Sequence, residues 1–128
     1  MIAARRSSLE LGLVGLIAAH SVAVAICLAL FPEWSAAFGG WGEVRQTFFA
    51  RQAGVFHFVV AAGYVYEYLR YGGISLLLWA KSMAVVFLLV ASVSIDPVAW
   101  AVPVSALGDA LMALVACFVH RWVRKRSG

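Results

Sequence analysis

The sequence predicts an all-α membrane protein, a four-transmembrane-helix antiparallel bundle with both termini cytoplasmic. Three observations predict it. Hydrophobic residues make up 64% of the 128 residues and charged residues only 12%, where soluble domains run near half and a quarter. Four apolar runs, each close to the ~20 residues that cross a bilayer core, are separated by short polar or glycine-rich breaks. The basic residues flank those runs instead of lining a groove. A single domain this short and this apolar (residues 1–128) needs lipid as its solvent.

The first run spans Leu9 to Phe31. Arg5 and Arg6 precede it and Ala23-Val24-Ala25 lies inside it, as in a signal peptide. The run continues past Ala25 and outlasts the ~7–15 apolar residues of a signal, so it reads as a retained helix. Pro32 stops it. Residues 32–46 then form an interfacial segment in which Trp34, Phe38 and Trp41 recur at helical spacing, an aromatic belt for the headgroup region. The second run goes from Thr47 to Leu69 and ends in the turn Arg70-Tyr71-Gly72-Gly73. The third goes from Ile74 to Ile95. Asp96-Pro97 reads as an N-cap followed by proline at the first helical position and opens the fourth run, Pro97 to His120. Pro103 removes a backbone donor inside that run and is expected to kink it. A basic cytoplasmic tail, 121–128, follows.

The net charge is +4, and its distribution sets the orientation. With the N-terminus inside, the inner side holds Arg5, Arg6, Arg70, Arg121, Arg124, Lys125 and Arg126. The outer side holds Arg45, with Glu33, Glu43 and Asp96 near it. That is the positive-inside pattern of a multi-pass protein of the plasma membrane or bacterial inner membrane. No basic stripe is interleaved with aromatics, so nucleic acid is not an expected partner. Cys27 and Cys117 lie inside apolar runs without CxxC spacing and read as inert thiols.

Ionisable groups inside a span are costly and mark the bundle interior or a wet cavity. Here they are His20, Arg51, His57, Lys81 and Asp109, with Glu10 and Glu67 near the inner interface. At ~1.5 Å per residue, His20, His57 and Asp109 come out near the bilayer midplane. Ser105 and Asp109 share a helix face and His120 falls close to it. His57, Tyr64 and Tyr68 line up in the same way, and Gly54 leaves space beside His57. Gly15, Ala19 and Ala23 form a small-residue stripe that permits close helix contact.

Two readings follow. In the structural one, Glu67 neutralises Lys81 and Arg51 neutralises Asp109. In the functional one, His20, Arg51, His57, Tyr64, Lys81, Ser105 and Asp109 make a site that relays protons or orients a lipid or quinone headgroup. A b-type haem held by His20 and His57 is a lesser option, since no other haem-pocket feature accompanies them. A metal site from His20, His57 and Asp109 lacks any motif spacing. GxSxG, HExxH and Walker segments are absent from the sequence, so no catalytic residue is assigned.

The segments Phe48-Phe49-Ala50-Arg51-Gln52-Ala53-Gly54 and Ser105-Ala106-Leu107-Gly108-Asp109 look signature-like by chemistry. In size and gross build the chain resembles the small four-helix bacterial membrane families such as the DoxX-like proteins, a likeness of architecture over the whole chain. It differs from the small four-helix drug exporters, because its first helix carries His20 where they carry a midplane glutamate. The expected function is a non-catalytic accessory or structural subunit of a larger membrane complex, with lipid, protein subunits or a second copy as partners. The alternative is an autonomous small proton-coupled transporter or lipid/quinone-binding protein.

Overall fold

The computed structural model describes residues 7–127. Arg5 and Arg6, used above for orientation, lie outside the described residues. The chain forms α1 (Ser8–Leu30), α2 (Pro32–Gly39), α3 (Phe48–Tyr71), α4 (Ser75–Ser94) and α5 (Ala101–Ser127), with no strand among the described residues. The helices α1, α3, α4 and α5 are long and apolar enough to cross a membrane. Their outward faces are apolar: Trp79 is 70% and Phe118 71% exposed.

The helix ends follow local chemistry. Pro32 stands in the first turn of α2, where a missing N–H costs nothing. Gly40 ends α2 with φ 92°. Gly40 N donates to Ala37 O and Trp41 N to Ala36 O, the paired closing bonds of a left-handed C-cap. Trp34 and Phe38 stack at 5.2 Å as their spacing predicts. The cap turns Trp41 out of that row and lays its ring over Gly39.

The fourth span differs from expectation at both ends. It begins at Ala101, not Pro97, because the preceding residues are committed to the outer cap. Trp100 Nε1 donates to Phe38 O at 2.8 Å, and the two rings meet edge-on at 5.4 Å. Pro103 therefore falls in the first turn of α5, where backbone N–H groups have no intrahelical partner, and it has no i−4 bond to remove. At the other end the basic tail is helical through Ser127. Arg124, Lys125 and Arg126 suit the negative end of the helix dipole, and Arg126 lies 4.0 Å over the Trp122 ring.

The closest packing pairs α1 with α3 and α4 with α5, with lesser contacts of α1 with α5 and of α3 with α4. Arg51 near the start of α3 bonds Ala29 near the end of α1, and Tyr68 near the end of α3 bonds Glu10 near the start of α1. Those two helices therefore run in opposite directions. The apolar core is Val14, Ile17, Tyr64, Tyr68, Ile74, Leu77 and Ala116, all toward the end of the molecule where α1 begins. Toward the other end the buried residues are small: Ala25, Gly54, Ala99, Val102 and Ala106.

Gly54 is where the α1 and α3 backbones meet. A Cβ there would lie 2.8 Å from Ala25 O and 2.8 Å from Ala29 N, backbone atoms that cannot swing aside. The stripe Gly15, Ala19 and Ala23 is not the packing face within the chain, since all three are exposed. The buried face of α1 carries Glu10, Val14, Ile17, Ala18, Ser21 and Ala25 instead. Gly54→Ala should cost about 1–3 kcal/mol through overpacking, and Gly15→Ala, which meets nothing within 4 Å, within about 0.5 kcal/mol. Detergent unfolding curves followed by helical circular dichroism test the contrast. Equal losses would refute the assigned seam.

Candidate functional site

Lys81 and Asp109 are buried because their helices leave them no alternative. The buried face of α4 carries Leu77 and, one turn later, Lys81. The buried residues of α5 run Val102, Ala106, Asp109, Ala116 and Val123, so Asp109 occupies a core position of an otherwise apolar stripe. Lys81 is 3% and Asp109 9% exposed. Lys81 Nζ donates to Asp109 Oδ1 at 2.6 Å. Two charges removed from water need such geometry, because desolvation costs several kcal/mol per ion and only a close partner offsets it.

The other two long helices each carry an imidazole, His57 on α3 and His20 on α1. His57 of α3 is half-buried and within electrostatic reach of Lys81, Asp109 and His20. His20 stands on the flank of α1, outside its buried face. Tyr64, two turns beyond His57, is buried and within electrostatic reach of Asp109. Of the residues singled out from sequence, His57, Tyr64, Lys81 and Asp109 thus come from three helices to one neighbourhood, while His20 is exposed and within electrostatic reach of His57.

Arg51, Glu67 and Ser105 do not join it, and the expected ion pairs are replaced. Arg51 Nη1 donates to Ala29 O at 2.7 Å. It completes a C-terminal carbonyl of α1 that has no partner inside that helix, a nearer target than Asp109. Glu67 Oε1 and Oε2 accept from Ser75 N and Leu76 N at 3.0 and 2.8 Å. Its carboxylate caps the start of α4 across the two-glycine turn, so Lys81 is left to Asp109. Ser105 is exposed although Asp109, one turn on, is buried.

A second polar cluster lies at the end of the molecule where α1 begins, and sequence reasoning did not assemble it. Glu10 is 5% exposed. Its Oε1 contacts His120 Nδ1 of α5, and its Oε2 accepts from Tyr68 Oη of α3 at 3.4 Å. Tyr68 Oη also lies 3.3 Å from Ser7 O. The available signal was facial: Glu10 sits on the same face of α1 as Val14, Ile17 and Ser21.

Among the described residues no three His, Cys, Asp or Glu side chains gather as a metal site would need. The α1 and α3 backbones touch at Gly54, within a turn of His57. A porphyrin bound by His20 and His57 would therefore have to sit beside that seam, not between the two helices. Compared with protein-family models, curated proteins and solved structures, the chain finds no match.

Removing one partner of the buried pair leaves the other charge uncompensated. Lys81→Met should cost about 3–5 kcal/mol. Lys81→Met with Asp109→Leu should cost less than that single change, because no charge then remains to be desolvated. Unfolding in mild detergent measures both, and a double variant weaker than the single one would contradict the pairing.

Proposed function

We propose that this chain is an autonomous small transporter of the plasma membrane or bacterial inner membrane, driven by proton uptake and release at the Lys81–Asp109 centre. It is a four-helix antiparallel bundle with both termini cytoplasmic. Arg70, Arg121, Arg124, Lys125 and Arg126 lie toward the cytoplasmic end and Glu33, Glu43 and Asp96 toward the outer end. One observation carries the reading. An ion pair closed at 2.6 Å between α4 and α5 has His57 of α3 within reach, and His57 in turn has His20 of α1. Apolar side chains would hold four helices together at lower cost than a buried ion pair. Ionisable groups kept at that depth are therefore best explained by use.

The chemistry is simple. Protonating Asp109 neutralises it and releases Lys81, which stays charged. Losing the proton restores the pair. Those two charge states of one centre are what a proton-coupled cycle needs. A lipid or quinone headgroup would use the same residues, with the Tyr64 hydroxyl as a donor.

A different observation favours the accessory-subunit reading. The exposed stripe of Gly12, Gly15, Ala19 and Ala23 on α1 has the small-residue character of a membrane helix interface. Gly12 and Gly15 meet nothing within 4 Å. A partner subunit or a second copy would lie against that face.

The test is proton flux into proteoliposomes holding a pH-sensitive dye, driven by a potassium diffusion potential. Wild-type protein is expected to exceed protein-free vesicles. Asp109→Asn should fall about a hundredfold or to background while keeping wild-type helical content and elution. Where that variant misfolds, Asp109→Asn with Lys81→Gln removes the same proton acceptor without stranding the lysine. Flux no higher than in empty vesicles, or unchanged in these variants, sinks the transporter reading and leaves the accessory one.

A further inference from the structure

We infer that Glu10, His120, Tyr68 and Tyr64 form the proton route between the Lys81–Asp109 centre and the cytoplasmic end of the bundle. The inference rests on the proton-coupled reading of that centre and adds the path and the side from which it is served. Three features of the geometry support it.

The first is alignment. His57, Tyr64 and Tyr68 lie on one face of α3, and Asp109 and His120 on one face of α5. His57 to Tyr68 and Asp109 to His120 are both eleven residues in the sequence, about 16 Å of helix. The two files therefore cover the same depth, from the centre to the end where α1 begins.

The second is connection. Glu10 contacts His120 on one carboxylate oxygen and accepts from Tyr68 Oη on the other. Tyr64 stands one helical turn from Tyr68, and Asp109 acts on it electrostatically. A turn is about 5.4 Å of backbone rise, and a hydrogen-bonded water between the two hydroxyls would complete the link.

The third is the surroundings. Between the two clusters the interior is Val14, Ile17, Leu77 and Ala116. These side chains carry no proton, so the tyrosine hydroxyls are the polar groups that cross the apolar layer. Tyr64 is 3% and Tyr68 1% exposed, too enclosed for a hydrated ion but not for a proton passed between hydroxyls.

Each step moves one proton and no electron. His120, bordered by Arg121 and Arg124 on its own helix, takes a proton from the cytoplasmic side and gives it to the Glu10 carboxylate. The Glu10 carboxyl gives it to Tyr68 Oη as that hydroxyl releases its own proton toward Tyr64. Tyr64 passes a proton to Asp109 in the same manner. Asp109 becomes neutral and its bond to Lys81 opens. The groups facing Asp109 are Lys81 of α4, His57 and Tyr64 of α3 and, beyond His57, His20 of α1. Loss of the proton toward the outer end, as net flux requires, regenerates the pair.

The experiment is a pH jump on the full-length protein in lipid nanodiscs, read by time-resolved infrared absorption of the protonated carboxyl. The Asp109 band is assigned by its loss in Asp109→Asn. Tyr68→Phe removes one hydroxyl and keeps the ring in the core. It should slow protonation of Asp109 about a hundredfold with an unchanged end point. Glu10→Gln should slow it likewise, and Tyr66→Phe, an exposed tyrosine of the same helix, should not. Wild-type rates in both Tyr68→Phe and Glu10→Gln overturn the route, as does an Asp109 band that ignores bulk pH. The flux assay separates the two claims. If Asp109→Asn abolishes flux and Tyr68→Phe leaves it intact, the centre stands and this route falls. If Asp109→Asn leaves flux unchanged, the parent reading falls whatever the infrared rates.

Discussion

Neither Lys81 nor Asp109 can be solvated where the fold puts it, so each depends on the other. Their helices, α4 and α5, form one of the two close pairs of the molecule, and the 2.6 Å contact lies in the seam between them. A coulombic attraction that is weak in water grows several-fold as the surroundings become less polar. The same change raises the penalty for opening the pair. The seam is therefore strong only while both charges are present, and one proton on Asp109 removes much of what holds it. In the proposed function a structural tie and a proton switch are the same object.

The remaining intramembrane charges show what a lipid setting asks of a helix end. Backbone groups without a partner are costly when water is scarce. Arg51 completes a carbonyl at the end of α1, and Glu67 accepts two N–H groups at the start of α4. Both are local solutions, reached across a turn or between adjacent helix ends. With Arg51 and Glu67 occupied in this way, the lysine and the aspartate pair with each other. Among the described residues no buried side-chain nitrogen or oxygen is left without a hydrogen-bond partner.

The helical class and the four apolar spans were legible in the sequence because run length and apolarity are properties of contiguous residues. That His20, His57 and Asp109 lie well inside their helices was legible for the same reason, since position along a helix follows from counting. Pairing was not. Matching Glu67 to Lys81 by depth ignored that Glu67 lies within reach of two unpaired N–H groups of the next helix, which a short turn brings closer than any side chain. The start of α5 was missed because the Trp100–Phe38 contact that claims residues before Ala101 joins positions 62 apart in the chain. Glu10 was read as an interfacial acid. It shares the α1 face of Val14, Ile17 and Ser21, but which partners close over that face, α3 and α5, is a long-range matter.

The packing on the two sides of the centre is unequal, and the inequality bears on function. Toward the end where α1 begins lie Tyr64, Tyr68, Leu77, Val14 and Ile17, large side chains of one buried cluster. Toward the opposite end the buried positions include Ala25, Gly54, Val102 and Ala106. A bundle selected only for stability gains from large side chains in both halves, because apolar burial stabilises in proportion to area. Here the large ones fill the half that holds Tyr64 and Tyr68. A layer of that kind excludes hydrated ions by packing, and in the proposed route its hydroxyls pass protons by hydrogen bonding. Those two properties together are what the proposed proton-driven centre requires on the side from which its proton arrives.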